Sequence, residues 1–195
     1  MSFAFVFPGQ GSQSVGMMTA YGDAAVVRAT FDEASAALGD DLWTMVAEGP
    51  AEVLTQTVNT QPVMLTAGIA AWRLWCEKGG RKPAVVAGHS LGEYSALVAA
   101  GVIAFNDAVP LVRLRAAAMQ EAVPLGTGAM AAILGLDTPG IVAACAEAGQ
   151  GEVVEPVPAL DETRQSRLFE GLHGLLQVQQ PLPKAPKSMK QVVLS

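Results

Sequence analysis

Ser90 is the residue of this chain whose setting points most directly to chemistry. It lies in Gly88-His89-Ser90-Leu91-Gly92, a G-x-S-x-G pattern between an apolar run that reads as a strand and an alanine-rich stretch that reads as a helix. On such a strand-to-helix turn a serine hydroxyl stands exposed at the C-terminal edge of a sheet, placed for nucleophilic acyl transfer. Glycines flank it because side chains there would clash with the turn and with neighbouring strands. The amide of Leu91, at the N-terminus of the next helix, points at the same place and suits an oxyanion. The pattern alone is common in a chain with 20 glycines, and the alternative is a serine whose hydroxyl caps the helix. His89 adjoins the serine, but side chains diverge on so tight a turn. It therefore reads as holding the turn rather than as the base.

Two other places hold candidates. Phe7-Pro8-Gly9-Gln10-Gly11-Ser12-Gln13 leaves a second strand at the edge where open α/β sheets bind ligands. No Lys-Ser/Thr follows, and Gly16 is misplaced for a dinucleotide fingerprint, so this is not a phosphate cradle. Gln10, an amide between glycines, suits an oxyanion donor, with an ordinary turn as the alternative. Arg115 lies in a mostly apolar helix beside Leu111, Leu114 and Met119. Its guanidinium stays charged there and needs a carboxylate, either the protein's own or a substrate's. Arg113, two residues away, faces elsewhere and reads as solvated.

The elements that must position these residues alternate in type. Strands are expected at 3–7, 83–87, 130–134 and 152–157. Helices are expected at 23–38, stopped by Gly39, with short pieces at 43–46 and 51–58. A strong helix is expected to open at Thr60-Gln61-Pro62, capped by Asn59 or Thr60, and to run to about Lys78. Others follow the elbow to Gly101, run from an Asn106-Asp107 cap to about Ala122, and from a Thr138-Pro139 cap to Ala148. Such alternation predicts an α/β fold.

Composition narrows the class. Of 195 residues 51% are apolar and 15% charged, enough for a packed core and unlike a disordered chain. The net charge of −6, with no Lys/Arg cluster, argues against nucleic acid as a partner. Two cysteines, Cys76 and Cys145, suit a reducing compartment. The longest apolar run, 62–76, contains Arg73 and is shorter than the roughly 20 residues that span a bilayer. With no basic n-region and no cleavage site, the reading is a cytoplasmic protein without membrane association. After Val157 the character changes. Residues 1–157 carry 7 Lys and Arg against 15 Asp and Glu, whereas 158–195 carry 5 against 3, with glutamine frequent and Pro183 and Pro186 breaking any regular element. At most 168–178 reads as one short helix, and 158–195 is expected to be a poorly ordered tail.

Taken together, these residues resemble the malonyl-CoA:acyl carrier protein transacylases of fatty acid synthesis. The matching pieces are the Phe7–Gln13 loop, Thr60-Gln61-Pro62, Gly88 to Leu97 through Glu93-Tyr94-Ser95-Ala96, and Arg115 followed by Met119-Gln120-Glu121-Ala122. They arrive in family order over about residues 3–157. The resemblance implies that Ser90 is acylated by malonyl-CoA and passes malonyl to the phosphopantetheine thiol of acyl carrier protein. It implies Gln10 and the Leu91 amide as the oxyanion hole, Arg115 as the partner of the malonyl carboxylate, and no metal or redox cofactor. It also implies an α/β-hydrolase-like core over 1–125 and the start of an inserted ferredoxin-like subdomain over 126–157, with 158–195 outside the family pattern. Members run to roughly 300 residues, with the histidine base about 110 residues beyond the serine, a point past Ser195 here. His173, in Gly171-Leu172-His173-Gly174, does not match that segment. The change after Val157 is thus expected to mark a reading-frame shift or alternative end, and transfer to be slowed by about 10³-fold or more, as when a triad loses its base. Two other readings stand beside this one: a G-x-S-x-G hydrolase such as a thioesterase, and an inactive fragment that binds coenzyme A or a partner.

Overall fold

The structure, a computed structural model, describes residues 2–122, 136–150, 154 and 156. Those up to Ala122 belong to one compact unit and those from Leu136 onward to a second.

In the first unit β1 (Ala4–Phe7) and β2 (Val85–Gly88) pair in parallel, with Phe7 opposite Gly88. Parallel neighbours need a crossover, and the chain between them supplies α1 (Ala25–Leu38), α2 (Leu42–Ala47), α3 (Ala51–Leu54) and α4 (Thr57–Glu77). Then come α5 (Leu91–Ala99) and α6 (Phe105–Ala122). In α1, Val27, Thr30, Phe31 and Ala34 are buried at helical spacing, and Gly39 closes the helix at φ +74°, donating to Ser35 O at 2.8 Å. Asp41 caps α2, accepting from the Thr44 amide (2.9 Å) and hydroxyl (2.7 Å). These two bonds hold its carboxyl below the ordinary range.

The long helix α4 is the centre of the unit, packed against α1, α5 and α6. Val63, Leu65 and Ile69 from it join Phe31, Leu42, Leu54, Val109 and Val112 in one core. Arg73, the charge in its apolar run, reaches Glu33 at 2.5 Å and stacks on Phe105. The face of β1 is sealed to α4 by Phe5, whose ring meets Trp72 edge-on at 5.2 Å.

Three expected helix starts need correction. α4 opens at Thr57, so Asn59 and Thr60 lie inside it and cap nothing. The Thr60 hydroxyl instead donates to the carbonyls of Leu54 (2.6 Å) and Gln56 (3.0 Å), tying α4 back to the short helix before it. Pro62 is an interior residue, tolerable because its ring forfeits a single bond near the helix start. α6 opens at Phe105, ahead of Asn106 and Asp107. In the second unit α7 (Thr138–Gly149) is capped by Asp137, which accepts from Gly140 N at 2.9 Å, rather than by Thr138. The expected strand at 130–134, the helix at 168–178 and the tail at 158–195 lie outside the described residues. So does 152–157, except Val154 and Pro156, which carry no regular structure.

Candidate active site

The paired strands end side by side, so the loops that leave them meet. After Gly88 the chain turns through Ser90, at φ 53° and ψ −113°, directly into α5. This is a strained region for a residue with a Cβ, and it lifts the hydroxyl clear of the surface. The turn is closed by Gly92 N donating to His89 O (2.9 Å) and Glu93 N donating to Ser90 O (3.2 Å). The glycines are close-approach positions. A Cβ on Gly88 would overlap the carbonyl of Gly92, and one on Gly92 would overlap the carbonyl of Phe7. Where Gly9 passes, a Cβ would stand 3.2 Å from His89 O, so the loop after β1 abuts the elbow.

The Ser90 hydroxyl does not cap α5, which has no side-chain cap. It accepts instead from Arg115 Nη2 at 3.0 Å. Leu91 is the first helical residue, its side chain 1% exposed and its N–H without an intrahelical acceptor. His89 is exposed and makes no side-chain hydrogen bond to Ser90. Gln10 is exposed on its loop, its Nε2 donating to Thr57 Oγ1 at 3.1 Å, at the start of α4. Among the described residues no imidazole or carboxylate contacts the serine hydroxyl, and no cluster of His, Cys, Asp and Glu could hold a metal ion.

Arg115 comes from α6. Besides Ser90 it reaches Gln61 Oε1 (2.7 Å) and Met119 Sδ (3.1 Å) through Nη1, and its guanidinium lies 5.8 Å from the centre of the Tyr94 ring. Among the described residues it has no carboxylate partner, so the alternative of a structural ion pair finds no support there. Arg113 is the ion-paired one. Its Nη2 meets Asp40 at 2.5 Å and its Nη1 meets Asn59 Oδ1 at 3.4 Å. The expectation of a solvated Arg113 is therefore corrected: two residues from Arg115, about 200° around α6, it faces Asp40 at the α1–α2 junction.

Sequence reasoning assigned no role to Gln61. It is fully buried on α4, with Oε1 accepting from Arg115 and Nε2 donating to Met119 Sδ at 3.3 Å. An uncharged polar residue at the head of an apolar helix run was the available signal, because a buried amide demands partners.

The family described as "Acyl transferase domain" matches residues 4–156. The malonyl CoA-acyl carrier protein transacylase of Escherichia coli K12 is 62% identical over 156 residues, which make up 80% of this chain and 50% of that protein. A solved acyl-carrier-protein S-malonyltransferase from Burkholderia pseudomallei superposes with TM-score 0.72 at 66% identity, covering 76% of this chain and 48% of that one. A malonyl-transacylase solved in complex with a type II PKS acyl-carrier protein superposes with TM-score 0.77 at 48% identity, covering 95% and 63%. The chain spans about half the length of the curated relatives it matches.

Proposed function

The chain belongs to the acyl transferase domain family, and on that premise we propose that it transfers malonyl from malonyl-CoA to the phosphopantetheine thiol of acyl carrier protein through an ester on Ser90. The observation that carries this reading is a guanidinium 3.0 Å from the elbow serine with no carboxylate of its own among the described residues. An acyl group bearing a carboxylate would supply the missing counter-ion, whereas a plain acetyl group would leave it unpaired.

In the first half-reaction Ser90 Oγ attacks the thioester carbonyl. A C–O bond forms, the C–S bond breaks, and the serine proton ends on the departing coenzyme A thiol. In the second, the carrier thiol attacks the ester, the C–O bond breaks, and its proton returns to Ser90. This is thioester exchange with no change of oxidation state, so the balance requires neither a metal nor a redox cofactor. The Leu91 amide, with the helix N-terminus behind it, and Gln10, on the loop that abuts the elbow, are assigned to the developing oxyanion. Arg115 holds the acyl carboxylate, and His89 stays a turn residue. We assign the core to an α/β-hydrolase-like subdomain over 1–125, an inserted ferredoxin-like subdomain beginning within 126–157, and a cytoplasmic setting. Among the described residues no helix is long and apolar enough to cross a membrane.

Intact mass after incubation with malonyl-CoA tests the reading, with Ser90→Ala as control. A malonyl adduct on the parent chain alone is the expected result. No adduct would overturn acyl transfer by this chain, and equal adducts from malonyl-CoA and acetyl-CoA would favour a plain serine hydrolase.

A further inference from the structure

The arginines of this chain differ in what they face. Arg28, Arg73 and Arg113 are each paired with a carboxylate, from Asp32, Glu33 and Asp40. Arg115 is as closely surrounded, yet among the described residues the groups it contacts are all neutral: an amide carbonyl, a thioether, a hydroxyl and a phenol ring. The shortest of these contacts, 2.7 Å, is to Gln61.

Gln61 is built into the site rather than lying beside it. Its side chain is fully buried on α4 and both ends of its amide are engaged, Oε1 by Arg115 Nη1 and Nε2 by Met119 Sδ. The thioether accepts from the NH₂ end and so fixes which way the carbonyl points. Glutamate has the same reach and would bond a guanidinium more strongly, but it would also neutralise it. We propose that Gln61 is a specificity-positioning residue: its neutral carbonyl orients the Arg115 guanidinium without neutralising it, leaving the charge for the carboxylate of the acyl group. This rests on the role given to Arg115 above and adds a second residue to the same selection.

The test measures affinity rather than turnover. Binding of malonyl-CoA and of acetyl-CoA is measured calorimetrically on the full chain carrying Ser90→Ala, with and without Gln61→Glu or Gln61→Met. The parent is expected to prefer malonyl-CoA by about 10-fold or more. Gln61→Glu should remove most of that preference by neutralisation and Gln61→Met by loss of orientation. Methionine is close to glutamine in volume, so Gln61→Met keeps the question open to test if the buried carboxylate of Gln61→Glu prevents folding. A wild-type preference retained in a folded variant overturns the proposal, and so does the absence of any preference in the parent. Acylation of Ser90 is read separately, so a failure here and a failure of the acyl-transfer reading are told apart.

Discussion

Arg115 Nη2 donates to Ser90 Oγ across 3.0 Å, joining α6 to the turn before α5 across 25 positions of sequence. The contact puts a fixed positive charge beside the hydroxyl of the elbow serine.

Replacing this arginine should change choice more than chemistry. Arg115→Ala is expected to lower the ratio of malonyl to acetyl adduct on Ser90 by about 100-fold, since a charge-matched site then reads only shape. Arg115→Lys should not restore it, because one ammonium cannot reproduce the fork that meets Gln61 and Ser90 together. Adduct ratios by intact mass at matched times check both.

Ser90 also carries a backbone cost. At φ 53° a Cβ is strained, and glycine is free of that strain. Ser90→Gly should therefore be more stable than Ser90→Ala by about 1 kcal/mol in urea denaturation, although neither can be acylated. Equal stability of the two variants would show that the elbow holds no such strain.

The elbow should tolerate no side chain at its second glycine. In Gly92→Ala the new methyl meets the Phe7 carbonyl, a backbone atom of β1 that cannot swing aside. A loss of about 3 kcal/mol by denaturant titration is expected, with the Ser90 adduct lost as well, because β1 and α5 must separate to make room.

Acid should weaken the start of α2 in a predictable order. The Asp41 carboxyl is held below its ordinary range by the Thr44 amide and hydroxyl, so the unfolded chain takes up its proton first. The stabilisation is complete above the ordinary carboxylate range and is lost as pH falls through the lowered folded-state value. Asp41→Asn keeps a capping oxygen without the charge. The urea midpoints of parent and Asp41→Asn should therefore differ at neutral pH and converge on acidification. A gap that persists at low pH would sink this account.

What the chain settled locally could be read without a structure. The strand, sharp turn and helix around Ser90 depend on neighbours in sequence: an apolar run, two glycines and an alanine-rich stretch. The Gly39 stop of α1 is equally local, and so is the family pattern over the loop after β1 and the elbow. Helix starts depart from local propensity where a distant or hidden bond outweighs it. Thr60 looked like a cap, but burial leaves its hydroxyl only the carbonyls of Leu54 and Gln56 as partners, so α4 begins earlier. Arg113 looked solvated because Asp40, its partner, stands 73 residues away. The site itself was decided by packing. α4 and α6 lie against one another and bring Gln61 to Arg115 across 54 positions, while α5 brings Ser90 to the same guanidinium. Residue types specify what each side chain can donate, accept or charge, but only the closed core fixes which of them meet. The contacts of Gln61 are of that second kind, because packing alone sets Arg115 and Met119 as the partners of its buried amide.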